Sequence, residues 1–489
     1  MEQYPEQTGI VYLVGAGPGN PGLLTVRAAE LLRTADVVAH DALVSSSILS
    51  LVGAQAELIP VGRRHGRGAT PYRLHPVVLE QAKAGRTVVR LKAGDPFIFG
   101  RGGEEAEELA QAGIPFEIVP GISSALGAAA YAGIPLTHRV HASTVTFVSG
   151  HDLNGTRRNP EWLTAVPRDG TLVLFMASRQ LAANLHSLIV GGRHADTPAA
   201  YVVSATTRNQ KVFVGTLTTL AEKVGTLDTN EPGLIIAGEI VRLREQIAWF
   251  ERRPLAGRRL LVARARPGRS VIAAALRALG AEVLEIPEVE VVPLNGASHI
   301  EAFLARLHEF RGIVFGCTAG VDAVVPHASN IDVPVIAVGA AAAQALSRHG
   351  IKPAVSVRGA CQEALREHSG LLQGGRFLLI MSVDGRPSLC NELTGIGAVV
   401  ETLAVYRHVH RMPSFPFPPI DLVVLPSSSA ARALLSGDLA ETLRGVPVVA
   451  IGPRTEEAAC RWGAQEVYRS ESDDPATLIA LAVTTLNAR

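Results

Sequence analysis

Short runs of apolar, β-branched residues alternate with longer Ala- and Leu-rich stretches of helical period from one end of the chain to the other. Residues 10–15, 37–39, 87–91, 145–149 and 171–176 read as strands, and residues 21–34, 71–84 and 104–112 as helices. This βαβα rhythm predicts an α/β fold of mainly parallel sheets covered by helices, with ligands beyond the C-terminal strand ends. The pattern breaks after Leu243. Residues 242–269 carry nine arginines and only two acids, Glu245 and Glu251. We therefore expect a first module over residues 1–244, a linker or short helix over 245–256, and a second module over 257–489.

The second module repeats itself. GRRLLVARARPG (257–268) echoes GGRFLLIMSVDG (374–385), and RGIVFGCTAGVDAVV (311–325) echoes IDLVVLPSSSAARALL (420–435). VPVIAVGAAAAQALSRHG (333–350) echoes VPVVAIGPRTEEAACRWG (446–463). Three echoes in the same order, spaced far more widely than solenoid repeats, predict two similar α/β lobes with a ligand cleft between them.

Composition narrows the chemistry. The 489 residues hold 46 Lys+Arg against 45 Asp+Glu, so no global field attracts nucleic acid or anionic lipid. The four cysteines, Cys317, Cys361, Cys390 and Cys460, lie far apart, which argues against a disulfide framework, a zinc knuckle or an iron–sulfur site. Residues 1–8 are polar and acidic, unlike a signal peptide, and no apolar run reaches 18 residues. The expectation is a cytoplasmic protein without metal, membrane or nucleic-acid partner.

Three motifs in the first module carry chemistry. LVGAGPGNPGLLT (13–25) leads a strand into a glycine-rich turn, but Asn20 stands where a dinucleotide fingerprint needs its third glycine. Pro18 also removes a phosphate-cradling donor, so a nicotinamide-linked dehydrogenase, with Asp41 as its ribose-binding acid, is disfavoured. RLKAGDPFIFGRGGEE (90–105) and VPGISSALGAAAYAGIPLTHR (119–139) are glycine- and small-residue-rich, as where backbone approaches a ligand closely. On pattern alone each reads equally well as an ordinary loop or packed helix.

Together these motifs, with TLVLFM (171–176) and TPAAYVVSATT (197–207), resemble the tetrapyrrole methylases, and among them uroporphyrinogen-III C-methyltransferase, from Gly9 to about Arg244. The resemblance implies two α/β lobes, S-adenosyl-L-methionine held in the cleft and released as S-adenosyl-L-homocysteine, and a homodimer through this module. It assigns Pro18, Ala93, Gly94, Asp95, Ile98, Ser123, Ser124, Met176, Ala205 and Gly233 to the cofactor pocket, and Asp41 to the catalytic base. Methyl transfer to an electron-rich pyrrole carbon is an in-line displacement that needs alignment and a proton acceptor, not a protein nucleophile. Two positions depart from the family. Arg63 replaces a lysine proposed as proton donor; an arginine stays protonated and suits a substrate carboxylate better. Ala93 replaces a glycine. Arg64, Arg67, Arg101, His138 and Arg139 are further candidates for holding a polycarboxylate substrate.

The second module is similar to uroporphyrinogen-III synthase from about Gly257 to Arg489, through its echoing lobes, VPVVAIGPRT and AVYRHVHRMP. The resemblance implies two lobes joined by a two-stranded crossing, with residues up to about Pro293 returning to pack with 412–489. It also implies closure of hydroxymethylbilane with loss of water and no cofactor. Tyr406 matches a tyrosine suspected of assisting that loss, and Ser427, Ser429 and Thr455 match positions that hold substrate carboxylates. Cys317, Ala319, Ala342 and Met381 depart from the pattern, where Ser, Asn, a hydroxyl residue and Arg are usual. The combined implication is a bifunctional enzyme of sirohaem and cobalamin synthesis. It would make uroporphyrinogen III and methylate it twice to precorrin-2. The alternatives are a methylase with a non-catalytic tetrapyrrole-binding second module, or a methylase acting on a later corrinoid.

Overall fold

A computed structural model describes residues 8–53, 55–62, 74–150, 167, 169–225, 231–264, 270–286, 288–294, 297–328, 330–357, 365–383, 388–411, 418–435, 439–472 and 474–488. The chain divides into two compact units, residues 1–259 with 276–282, and residues 260–275 with 283–489.

The first unit opens with β1 (Val11–Gly15), β2 (Val37–His40), β3 (Glu57–Pro60), β4 (Val88–Lys92) and β5 (Phe116–Val119). They form one parallel sheet in the order β3-β2-β4-β1-β5. Its central strands β1, β2 and β4 are largely apolar on both faces because helices cover both. Val11, Leu13, Val37 and Val88 pack with Val78, Ala82 and Leu109, while Val14, Val38, Val89 and Leu91 pack with Ala28, Leu31 and Ile48. The helix expected over 21–34 is interrupted. Asn20 caps a 3-10 turn, Pro21–Leu23, Leu24 and Thr25 are extended, and Thr25 then caps the helix Val26–Thr34 by accepting from the Ala28 amide. A threonine whose hydroxyl can cap favours a fresh helix start over a helix interior.

The second lobe of this unit holds β6 (Val145–Ser149), β7 (Thr171–Phe175), β8 (Pro198–Val203), β9 (Lys211–Thr216) and β10 (Gly233–Ala237) in the order β6-β7-β10-β8-β9. Here the expectation of mainly parallel sheets fails. Only β6 and β7 are parallel, and the other three pairings are antiparallel. Residues 204–210 are too few for the crossover that a parallel β8–β9 pair requires. Beyond β10, Arg244–Ile247 forms a single helical turn, and Trp249 Nε1 donates to Ala130 O at 2.9 Å. The Trp249 and Phe250 rings lie 5.2 and 4.8 Å from the Tyr131 ring, so the stretch after the turn lies on the first unit.

The second unit is built on β11 (Arg259–Ala263), β12 (Glu282–Ile286), β13 (Glu288–Pro293), β14 (Gly312–Phe315), β15 (Val335–Val338) and β16 (Val355–Val357). They are followed by β17 (Arg376–Ser382), β18 (Val399–Arg411), β19 (Leu422–Leu425), β20 (Val448–Ala450) and β21 (Val467–Arg469). One sheet runs β12-β11-β19-β20-β21 and the other β13-β18-β17-β14-β15-β16. The antiparallel pair β13–β18 extends the second sheet, and β12 leads directly into it from the first.

The echoed strands fall into a reciprocal pattern. β11 echoes β17, β19 echoes β14 and β20 echoes β15. Leu260 pairs with Leu422 in one sheet, as Phe377 pairs with Gly312 in the other. The first repeat thus gives β11 and β12 to the five-stranded sheet and β13 to β16 to the six-stranded one, while the second gives β17 and β18 to the six-stranded sheet and β19 to β21 to the other. The same registers make Ser427 the counterpart of Cys317, Ser429 of Ala319, Thr455 of Ala342 and Arg264 of Met381.

Candidate functional site

In the first unit the chemistry gathers where β1, β4 and β5 end. Gly17 and Gly94, in the loops after β1 and β4, exchange backbone hydrogen bonds of 3.0 and 2.9 Å. Gly15, Gly94 and Gly121 meet so closely that a Cβ on Gly121 would lie 2.3 Å from Gly94 O and 2.7 Å from Gly15 Cα. Asp95 ties the loops together, its two oxygens accepting from the amides of Phe97 at 2.8 Å and Gly121 at 3.0 Å. Ser123 is buried and caps the helix Ser124–Ala132. Pro18 packs on Gly127 of that helix, where a Cβ would come within 2.6 Å of the proline ring.

The second lobe brings its own loops to this place. Asn20 donates its amide N–H to Thr206 Oγ1 at 3.2 Å and its side-chain N–H to Tyr131 Oη at 3.0 Å. The Phe99 ring, after β4, lies 4.7 Å from that of Phe175, at the end of β7. Because β10 runs antiparallel to β7 and β8, Gly233 at its start shares one sheet end with Met176 and Ala205. Ile98 and Met176 leave apolar side chains open to solvent. Phe99, Arg101, Met176, Ser204 and Thr206 are the non-glycine residues with left-handed backbone among the described residues. All five lie in loops at this site. Such conformations cost about 1–3 kcal/mol each and concentrate where a ligand is gripped.

Beneath the loops lies an ion cluster that motif reading overlooked. On β2, Val37 and Ala39 face one side of the sheet, and Asp41 continues that face. On β4, Val88, Arg90 and Lys92 do the same. Arg90 Nη2 donates to Asp41 Oδ1 at 2.6 Å and to Glu105 Oε1 at 3.0 Å, and Lys92 Nζ donates to Glu105 Oε2 at 2.8 Å. Asp41 Oδ2 accepts from the Ala93 amide at 3.3 Å. Burial pulls the Arg90 guanidinium down, but Asp41 and Glu105 outweigh it and hold its pKa above the ordinary value. Lys92, only 2% exposed, is pulled below its ordinary value by burial and by the neighbouring Arg90 charge, against the attraction of Glu105 and Asp41. The available signal was two charges at i and i+2 in an otherwise apolar strand, VVRLK, followed by the acids of GRGGEE. Arg63, Arg64 and Arg67 lie outside the described residues, as does Cys361. Arg101 opens the helix Gly102–Gln111, and His138 and Arg139 are both exposed, beyond residue 132.

In the second unit the candidates divide between the sheets. Ser427 follows β19. Its Oγ accepts from the Ala430 amide at 3.1 Å and lies 3.1 Å from Ser429 Oγ. Thr455, 4% exposed, sits in the first turn of the helix Pro453–Arg461 after β20. Tyr406 belongs to the other sheet, opposite Ser382 at the end of β17, with its hydroxyl 2.9 Å from Cys317 Sγ. Ala342 is buried in the helix Ala340–Arg348, where the counterpart lobe has Thr455. Among the described residues no three His, Cys, Asp or Glu side chains are placed to hold a metal ion, and no helix is long and apolar enough to cross a membrane.

Fold and geometry thus define two α/β units of enzyme type, with the candidates Asp41, Asp95, Ser427 and Thr455 beyond C-terminal strand ends, while Gly233 opens β10 and Tyr406 lies within β18. Residues 10–221 match the family model of the tetrapyrrole (corrin/porphyrin) methylases, and residues 270–480 match that of uroporphyrinogen-III synthase HemD. Siroheme synthase of Pseudomonas aeruginosa is 52% identical over 245 residues, 50% of this chain and 52% of that protein. That of Pseudomonas fluorescens is 53% identical over 245 residues, 50% of this chain and 53% of that protein. The chain spans about half the length of the curated relatives it matches. Among solved structures, uroporphyrin-III C-methyltransferase from Thermus thermophilus, complexed with S-adenosyl homocysteine, is 39% identical and covers 48% of this chain and 100% of its own, with a TM-score of 0.42. The chain belongs to the tetrapyrrole methylase family through its first half and to the uroporphyrinogen-III synthase family through its second.

Proposed function

We propose that the second unit closes hydroxymethylbilane to uroporphyrinogen III and that the first methylates this product twice, to precorrin-2, on the route to sirohaem and cobalamin. What carries the reading is the meeting of five strained loop residues and a backbone-paired glycine cluster directly above the Asp41 ion cluster. S-adenosyl-L-methionine, when bound, supplies an electrophilic methyl group on a sulfonium centre. The residues present fit it. Backbone polar groups and the exposed Ile98 and Met176 suit a cation carrying an amino-acid tail and an adenine ring. Pro18, Ala93, Gly94, Asp95, Ser123, Ser124, Ala205 and Gly233 shape the same place.

Asp41 then takes the proton released as the methylated pyrrole rearranges. Arg90 holds one of its oxygens and the Ala93 amide the other, fixing the carboxylate at the loop mouth. Arg63 binds a substrate propionate. In the second unit Tyr406 assists loss of the hydroxymethyl oxygen, while Ser427, Ser429 and Thr455 hold carboxylates. Fusion raises the local concentration of an oxidation-prone intermediate. Self-association through the first unit and a cytoplasmic location complete the reading. Exposed Leu126 and Val140 support the former, and size-exclusion chromatography with light scattering tests it.

The deciding experiment supplies the whole chain with hydroxymethylbilane and S-adenosyl-L-methionine without oxygen, and reads products by mass and ring isomer. A type III macrocycle bearing two new methyl groups is expected. Exclusive type I product would show the second unit to be a binding domain, and unmethylated type III would overturn the reading of the first.

A further inference from the structure

The Cys317–Tyr406 pair in the second unit carries an inference that rests on the reading of Tyr406 given above. Between Met381 and Ser382 the β17–β18 register slips, so that Met381 pairs with Ala404 and Ser382 with Tyr406, leaving Val405 as an extra residue. A strand without the slip would send Val405 and Tyr406 to opposite faces. Instead both are buried, at 1% and 5% exposure, in the same apolar cluster as Val321 and Val324 of the helix Thr318–Val324. Bulges re-aim side chains in this way.

The re-aimed ring ends at a sulfur that is itself fixed. Cys317 is the N-cap of that helix, its Sγ accepting from the Gly320 amide at 3.4 Å and lying 2.9 Å from Tyr406 Oη. The counterpart lobe shows what is particular here. Ser427 caps its helix identically, but its remaining contact goes to Ser429. Ala319 stands at the position of Ser429 and offers no hydroxyl, so the thiol's remaining contact goes to the tyrosine.

We propose that Cys317 is the positioning residue for the Tyr406 hydroxyl. With one of its two lone pairs engaged by Gly320 N–H, the sulfur gives its S–H to the phenol oxygen in this arrangement. That donation fixes the phenol oxygen and keeps the phenolic proton from being spent on the sulfur. When the C–O bond of the hydroxymethyl group breaks, that proton goes to the departing oxygen and water leaves. The proton lost from the pyrrole carbon on ring closure restores the phenol.

The test uses the whole chain with hydroxymethylbilane alone, without oxygen, and measures kcat and KM for type III product in C317A, C317S, Y406F and the C317A/Y406F double variant. C317A is expected to lower kcat about five- to tenfold, the scale of one hydrogen bond, with KM unchanged within about twofold. C317S, which keeps a small donor, recovers most of that loss. The double variant is no slower than Y406F, because the cysteine acts through the tyrosine. A C317A variant with parental kcat, equal losses in C317A and C317S, or losses that multiply in the double variant would each overturn the proposal. If Y406F itself forms type III product at the parental rate, the assignment of Tyr406 falls as well. If Y406F is slow and C317A is not, only the role of Cys317 falls.

Discussion

The two units bury different kinds of polarity. Among the described residues, the buried polar side chains of the second unit are Ser382, Thr455, Ser470 and Thr485, all uncharged. The first unit buries Arg90, Lys92, Glu105 and Arg193, three of them in the network that reaches Asp41. Strained loop residues are distributed in the same way, with all five in the first unit. A site that must align a cation with a ring carbon and receive a proton calls for fixed charges and tightly held backbone. A site that folds a flexible chain and releases water can be built from hydroxyls and a thiol. One α/β layout serves both because the strand ends are fixed while the loops and the last residues of each strand vary.

The sharpest way to break this contrast is at Glu105, which satisfies two buried cations. Glu105→Gln leaves one uncompensated and is expected to destabilise the first unit by about 3–5 kcal/mol. Calorimetry should show the melting of the first unit lowered and that of the second unmoved; a shift of both would show that the units are not energetically independent. Asp41→Asn tests the electrostatic side through activity. Methylation of supplied uroporphyrinogen III should fall about a hundredfold, while type III ring closure continues at the parental rate. Equal loss of both would end the assignment of Asp41 to the first reaction.

Smaller effects sharpen the comparison. Ser427→Ala removes a helix cap and is expected to cost the second unit about 1 kcal/mol, together with a several-fold higher KM for hydroxymethylbilane. An unchanged KM would restrict Ser427 to its cap. Met176 has φ of +56°, so Met176→Gly should stabilise the first unit by roughly 0.5–1 kcal/mol while weakening S-adenosyl-L-methionine binding in titration calorimetry. Stabilisation without weaker binding would show the strain to be unrelated to the cofactor.

Much of this was legible in the chain. The strands over 145–149 and 171–176 emerge at or within one residue of their expected bounds, because continuous apolar runs bounded by turns admit few other readings. The duplication announced two lobes, and β11 and β12 return to pack with β19 as the resemblance implies; β13, expected to return with them up to Pro293, instead pairs with β18 in the other sheet. Residues 21–34 misled because their apolar pattern continues through Thr25, whereas the backbone is decided by which side chain captures a free amide. Strand direction in the second lobe was not legible from periodicity, which is the same for parallel and antiparallel neighbours. The ion cluster escaped for a topological reason: Asp41 and Arg90 meet only because β2 lies beside β4, and strand order is not written in local spacing.

The reciprocal exchange of strands between the two repeats bears on how the second unit is made. β11 ends at Ala263, but its sheet neighbour β19 does not begin until Leu422. On a ribosome the earlier strand must wait, its edge unpaired, through the synthesis of the entire six-stranded lobe. That lobe has all its strands by Arg411 and can form first, whereas the five-stranded lobe cannot close until the last stretch of chain is delivered. The lobe carrying Ser427 and Thr455 is therefore the last to be completed, and a nascent chain stopped before Leu422 leaves β11 without the neighbour it needs.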